Sequence, residues 1–537
     1  FSHDVSAFRT QRAALRNCLS NNSITAMLGN ISLNNDDTNG HVTFLPVGFK
    51  GVGVKINIDR SDETIRHHSV PEVFLNSSVI FSKLKKRLNT EQLTVVTDVL
   101  SGNAAVCDGS KSLGPPYCCF GPPGTGKTVT NVAAALAVLL QDPDARLLLC
   151  APAPFAADVV CSRLAQLSKE MFDIMRQERD PVLLNESESV SPLVPYRAFS
   201  NPADTDTWFM TRVNDPRRDP NTVKQDVLPF CADAHSDAVK NSRVVVCTAM
   251  SAGLLVQDVG ERGYSNYSSA IHENVTKQKF THVFIDEAGQ ATVPETLVPL
   301  RLTNGNTKAV VLFGDPKQLG PVVHSVAARD LKQSLLANAI EAHENVLKGL
   351  NLESPKKPLR RLTKLTRNYR SHVDIFGLSS RLFYDDNLIA AAKDEDVSLP
   401  KSLVENSADE NTSTTTDTTT SSSQPARVMF VGCRGVQTRD GCGDAPSFFN
   451  ALEAQAVVDL ICNWLSTSEN SKFSVGDDGT LNKSEKNNLD DGSLFLRAKD
   501  VGVIAPYRAQ VVRLRTLLRS RGLGDIRVGT VDDYQGQ

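Results

Sequence analysis

Short continuous apolar runs recur along the chain, each closed by Gly, Pro, Asp or Thr. They lie at Tyr117–Phe120, Arg146–Ala151, Arg243–Thr248, His282–Asp286, Ala309–Gly314, Arg427–Gly432, Val501–Pro506 and Arg527–Val531. A strand with one wet face alternates apolar and polar residues. These runs do not alternate, so they predict strands covered on both faces of a parallel sheet. Helical spacing fills intervals between them at Thr128–Gln141, Ala156–Leu167 and Leu452–Leu465. The order is α/β, and such sheets bind ligands at the carboxyl ends of their strands.

Other stretches break the pattern. Residues 1–88 are of mixed character, with a strand-like piece at Gly53–Ile58, and read as an accessory region. Residues about 168–242 are long, polar and carry prolines, which predicts an inserted subdomain. The Ser/Thr tract Asn411–Ser423, within an insert of about 403–426, has nothing to bury and reads as disordered. A second insert of about 468–493 is acidic, rich in Asn, Gly and Ser, and reads as flexible. The expected division is 1–88, then 89–350 with its insert, then 351–537.

Composition narrows the class. The 537 residues hold 58 Lys plus Arg against 61 Asp plus Glu, a net charge of −3. A protein that coats nucleic acid by bulk charge is excluded, and any polyanion site must be a local patch. No run approaches the ~20 apolar residues of a membrane span, so no membrane is expected. The 11 cysteines are odd in number and scattered, with no C-x-x-C pair. This predicts a reducing, cytoplasmic setting (the nucleus is an alternative) without disulfides or zinc.

The chemistry begins after the first run. Gly121, Pro122, Pro123, Gly124, Thr125, Gly126, Lys127 and Thr128 join that strand to a helix. Glycines let the loop turn its N–H groups around phosphates, the helix start adds positive potential, Lys127 reaches the β- and γ-phosphates, and Thr128 ligates Mg²⁺. A carboxylate partner for the metal is expected on another strand end. Asp286 supplies it, and Glu287 is placed to orient and deprotonate a water. Gln318, in Gly314-Asp-Pro-Lys-Gln-Leu-Gly-Pro321, suits the γ-phosphate or its attacking water. Gln92, in Leu88-Asn-Thr-Glu-Gln92, has an amide that both donates and accepts, as an adenine edge requires; alone it is a weak signal.

In order, GPPGTGKT, IDEAGQA, GDPKQLGP, LTRNYRSH (365–372), IAPYR (504–508) and GTVDDYQGQ (529–537) resemble the motifs of superfamily-1 helicases. The wording is similar to the branch that contains the nonsense-mediated-decay helicase. Within it, Pro446-Ser-Phe-Phe-Asn450 points to the RNA-silencing helicases of the Armitage and Moloney-leukaemia-virus-10 type. The resemblance covers about residues 89–537. It implies two tandem RecA-like domains, ATP and Mg²⁺ between them, and 5′→3′ movement on single-stranded RNA, with RNA-silencing or RNA-decay proteins as partners. It further implies that Tyr369 stacks on adenine beside Gln92 and that Arg370 touches the γ-phosphate. Gln535 and Gly536 would couple the cleft to the strand.

Two departures qualify the resemblance. The family's Ser-Asn pair after the second run is here Ala153-Pro154, followed by Phe155, which suits the core better than a base. The chain also stops at Gln537, before an expected ribose-binding glutamate and a last arginine, which is worth about 10³–10⁵ in rate. Truncation of the sample or gene model is the expectation. For the strand, Thr248, Arg508 and Thr530 follow runs whose ends face the cleft. Basic clusters at Lys83–Arg87, Lys356–Arg367 and Arg513–Arg521 read first as solvated faces. Rivals are a DNA or mixed-substrate helicase, and a nucleotide-gated RNA-binding scaffold with weak turnover.

Overall fold

The computed structural model describes residues 10–11, 29–32, 42–46, 54–56, 79–102, 115–142, 144–178, 209–256, 280–303, 306–323, 325–349, 361–399, 427–440, 447–468, 473–475, 481–483 and 496–534. Lys356, Lys357, Arg360, Asn411–Ser423, Gln535 and Gly536 lie outside them, as do most of 1–88 and of the 468–493 insert. The chain divides into two compact units, the first reaching Tyr369 and taking in 387–389, the second starting at Arg370. The expected boundary at 350 is displaced because the strand Leu362–Lys364 belongs to the first unit's sheet.

That sheet has eight strands, all parallel: β1 (Tyr117–Phe120), β2 (Leu147–Ala151), β3 (Met210–Val213), β4 (Cys231–Ala232), β5 (Val244–Thr248), β6 (His282–Ile285), β7 (Ala309–Gly314) and β8 (Leu362–Lys364). Across the sheet they run β8-β1-β7-β6-β2-β5-β3-β4. Alternate residues of one strand enter opposite cores. Leu147, Leu149, Val244, Val246, Val311 and Phe313 pack on one face, while Leu148, Cys150, Val245, Cys247, Val310 and Leu312 pack on the other. Burial on both sides is why the strands read as continuous apolar runs. Cys118 and Cys119 sit back to back in β1, and burial raises both thiols, so they pack as small hydrophobes.

The first face is covered by α1 (Val79–Arg87), α2 (Thr90–Leu100), α3 (Lys127–Gln141) and α4 (Pro154–Glu178); the second by α5 (Val293–Leu300) and α6 (Leu335–Gly349). The order of strands turns back beside β1, whose neighbours are β8 and β7, and β1 leads into the glycine loop. This is the switch point at which such sheets bind ligands.

Two expectations need correction. The segment from 209 is not a separate subdomain, for β3 and β4 extend the sheet. A buried ion triad secures this edge: Asp158 on α4 accepts from Arg212 Nε at 3.0 Å and from Arg218 Nη2 at 2.6 Å, and Arg212 is fully buried. Nor is Arg427–Gly432 a strand. It is exposed, Phe430 at 95%, because among the described residues no neighbour pairs with it and a buried strand needs one on each side.

In the second unit, α7 (Val373–Phe383) comes first. The hairpin of β9 (Gln437–Asp440) and β10 (Ser447–Asn450) then leads into α8 (Ala451–Ser468). Next come β11 (Gly502–Ile504), α9 (Arg508–Ser520) and β12 (Arg527–Gly529), β11 and β12 being parallel. Val458, Ile461, Val503, Val511, Leu514 and Val528 form its core.

Candidate nucleotide site

The loop Gly121–Gly126 leaves β1 at its carboxyl end and becomes α3. Gly124 and Gly126 stand at φ of 76° and 86°, a region that side chains disfavour, so the turn needs glycine there. Every carbonyl of the loop has a donor. Gly121 O accepts from Lys127 Nζ at 2.8 Å, Pro122 O from Thr125 Oγ1 at 2.8 Å, and Gly126 O from Thr130 N at 2.9 Å. Pro123 O accepts from Asn368 Nδ2 at 2.9 Å, Gly124 O from Tyr369 N at 2.8 Å, and Thr125 O from Gln92 Nε2 at 3.2 Å. Pro122 and Pro123 carry no N–H, while Gly121 N donates to Gly314 O at 3.0 Å and Thr125 N to Pro122 O at 3.3 Å. The amides that can face an anion are therefore those of Gly124, Gly126 and the start of α3.

Gln92 is nearly buried at the start of α2, where Asn89 and Gln92 form a capping box. Its Oε1 accepts from Asn89 N at 3.1 Å while its Nε2 reaches the loop, leaving one N–H and one lone pair for a base edge. Asn89 Nδ2 also donates to Tyr369 Oη at 2.8 Å, so Gln92 and Tyr369 are tied through one residue. The Tyr369 ring is 42% exposed and presents a face for stacking.

Asp286 and Glu287 follow β6. Asp286 is buried, accepts from the Glu287 N–H at 3.1 Å and pairs with the Thr128 hydroxyl. Burial, then the neighbouring Glu287 carboxylate, pushes its pKa up to about 6, against the pull of Lys127. Lys127 Nζ lies 3.9 Å from Glu287 Oε1. Glu287 stands at φ 48°, ψ 36°, a left-handed conformation that costs energy without glycine and recurs at functional sites. A buried carboxylate short of positive charge, with a hydroxyl beside it, fits a hard divalent cation. Among the described residues no three His, Cys, Asp or Glu cluster as a metal cage, and magnesium held partly by phosphates needs none.

Gln318 follows β7 and donates through Nε2 to Asp315 Oδ2 at 2.8 Å, so buried Asp315 sets its orientation. The β6 and β7 turns touch: a Cβ on Gly289 would fall 2.8 Å from Asp315 O. The carboxyl edge of the sheet thus holds Lys127 and Thr128 beyond β1 and Asp286 and Glu287 beyond β6, with Gln92, Gln318 and Tyr369 on adjoining segments of the same unit. Arg370 is the first residue of the second unit.

Of the residues expected on the nucleic-acid side, Thr248 lies in the first unit and Arg508 and Thr530 in the second. Thr248 is buried, and its hydroxyl closes a turn with Ser251, accepting from Ser251 N at 3.0 Å. Phe155 is half-buried beneath Lys224, whose Nζ is 4.5 Å from the ring centre, while Ala153 and Pro154 are exposed. In the second unit Arg508 and Thr530 stand at the ends of the parallel β11 and β12. Thr530 N donates to Asp533 Oδ2 at 2.9 Å, and Arg508 lies 3.6 Å from the same carboxylate.

Asn89, Asp315 and Asn368 stand inside the motifs, but the motifs alone assign them no role. The Asn89-x-x-Gln92 spacing is a readable capping box. Nothing in the sequence tells which loop carbonyl Asn368 would meet.

Two family models described as AAA domain match the chain, one over residues 87–193 and 264–326, the other over 331–537. The chain is 35% identical to human "RNA helicase Mov10l1" over 84% of its own length. It is 30% identical to "Putative helicase mov-10-B.1" of Danio rerio over 85%, and 28% identical to "Probable RNA helicase armi" of Drosophila melanogaster over 89%. It spans only 29%, 37% and 35% of those relatives.

Proposed function

The chain belongs to the superfamily-1 RNA helicases of the Armitage and Moloney-leukaemia-virus-10 type, and on that premise we propose that it couples ATP hydrolysis to 5′→3′ movement on single-stranded RNA. The observation that carries the reading is the carboxyl edge of the sheet where Lys127, Thr128, Asp286 and Glu287 meet behind a loop whose carbonyls all have donors. In this proposal the loop amides and Lys127 bind the β- and γ-phosphates. Glu287 orients the attacking water and takes its proton, and Gln318, steadied by Asp315, contacts the γ-phosphate. Tyr369 and Gln92 hold adenine. Arg370 is assigned to the γ-phosphate on the resemblance, so that cleavage would release its contact. Thr128 and Asp286 would hold Mg²⁺, which neutralises charge on the phosphates when bound.

The proposed setting is cytoplasmic RNA silencing or decay. No described helix is long and apolar enough to cross a membrane. The full-length protein should hydrolyse ATP faster with single-stranded RNA, and Lys127→Ala should abolish turnover; unchanged turnover would overturn the assignment. Competition between matched RNA and DNA strands decides the substrate, because nothing in these motifs reads the 2′-hydroxyl. A second reading, an RNA-binding scaffold gated by nucleotide with weak turnover, draws on Ala153 and Pro154, which offer no side-chain hydrogen bonds to a strand. It predicts nucleotide-dependent RNA binding without unwinding.

A further inference from the structure

We infer that Asn368 is a positioning residue for the phosphate loop, and that residues 365–369 form an outer brace setting the loop's shape together with the place of Tyr369. The inference rests on the nucleotide site proposed above. It begins with where the loop's carbonyls go. Four are held by residues of the loop, of α3 or of α2, but the two at its apex, Pro123 and Gly124, depend on the segment after β8. That segment runs alongside the loop: Leu365 N donates to Phe120 O at 2.8 Å, Asn368 Nδ2 to Pro123 O at 2.9 Å, and Tyr369 N to Gly124 O at 2.8 Å.

Asn368 is buried while Pro123 stands on the exposed apex of the loop, so a buried amide holds the apex from its inner side. A side-chain amide that faces a carbonyl must present its nitrogen, which fixes its orientation. The segment is itself anchored to α2. Glu91 accepts from both Thr366 N, at 2.7 Å, and the Thr366 hydroxyl, and Asn89 Nδ2 holds Tyr369 Oη at 2.8 Å. Carboxylate acceptors make the stronger hydrogen bonds. A proline carbonyl at a tight apex has no helix or strand partner of its own. Removal of its buried donor leaves an acceptor with no protein partner to fix its direction, free to turn or to take a water in the amide's place. Turning the Pro123–Gly124 peptide would point a carbonyl into the concavity where phosphate oxygens are meant to meet N–H groups.

The test titrates Mg·ADP and, separately, inorganic tripolyphosphate into full-length protein carrying Asn368→Ala, Thr363→Val or Lys127→Ala. Thr363 lies in β8, just before the brace, and its hydroxyl pairs with Tyr117 Oη, away from the loop. A brace on the phosphate loop predicts that Asn368→Ala weakens both ligands alike, about tenfold or more. Thr363→Val should lower the melting temperature yet leave both affinities within twofold. Three results would overturn the brace: affinities within twofold in Asn368→Ala, a loss for Mg·ADP alone, or an equal loss in Thr363→Val. Lys127→Ala separates the two claims. If it weakens binding while Asn368→Ala does not, only the brace fails; if neither weakens binding, the nucleotide site fails with it.

Discussion

The polar groups of the first unit and those at the strand ends of the second are managed in opposite ways. In the first unit the three that secure the site and the sheet edge are buried and partnered inside the protein: Asp158 between two arginines, Asn368 against Pro123, Asp315 against Gln318. In the second, Arg508 is 63% exposed at 3.6 Å from a half-exposed Asp533. The first arrangement is rigid before any ligand arrives, so little ordering remains to oppose binding, and each group is costly to disturb. The second relies on charge in water, where salt screens it and single residues matter little. Under the proposed function, a site that fits one triphosphate and a surface that slides along any sequence would call for that difference.

The comparison is broken most directly at Asp158. Asp158→Ala leaves Arg212 charged and buried without its carboxylate, and should cost about 3–5 kcal/mol of stability in chemical unfolding. Replacing Asp158, Arg212 and Arg218 together by apolar residues of similar volume should recover most of that loss. If Asp158→Ala unfolds like the parent, the interior of the first unit is not sealed and the contrast is void.

His282 tests the same interior by titration. It is buried in β6, stacked on Phe284, with its ring 2.9 Å from the Thr281 hydroxyl. Burial first, and Lys308 second, lower its pKa to about 4, against the pull of Asp142. Above about pH 6.5 the ring is neutral in both folded and unfolded chains and has no effect. As pH falls from there towards 4, the unfolded chain binds a proton that the folded one refuses, so stability is lost, up to about 3 kcal/mol. His282→Phe should therefore lose less stability than the parent between pH 7 and 4.5, by about 2 kcal/mol. Equal losses would mean that water reaches the ring.

What the sequence made legible follows from the same contrast. The runs at β1, β2, β5, β6 and β7 were found within a residue because burial on both faces leaves a continuous apolar signature. The loop and its carboxylates were found because their chemistry fixes residue types at fixed spacing. Val428–Val431 carries the same apolar signature and is not a strand, since a run of letters cannot say whether neighbours arrive on both sides. Asn368 and Asp315 were quoted inside motifs but given no role. Their work is to hold a backbone carbonyl and a glutamine amide, and such partners are set by the fold rather than by spacing. Thr248 was chosen for its strand end, yet its hydroxyl closes a turn, a competition that short polar side chains often win.

The smallest expected effect lies on the exposed side. If Arg508 meets one RNA phosphate, Arg508→Ala should weaken RNA binding only a few-fold and make the slope of log affinity against log salt shallower by about one phosphate's share. Arg508→Lys should keep the slope, because charge alone sets it. Asp533 discriminates further, for it competes with phosphate for Arg508 while also accepting from the Thr530 N–H. Asp533→Asn keeps an acceptor oxygen for that N–H but removes the competing charge, so RNA should bind slightly tighter at low salt, with the gain vanishing as salt rises. Weaker binding at every salt concentration would mean that the ion pair shapes the β11–β12 strand ends, and that the second unit, too, grips through fixed geometry.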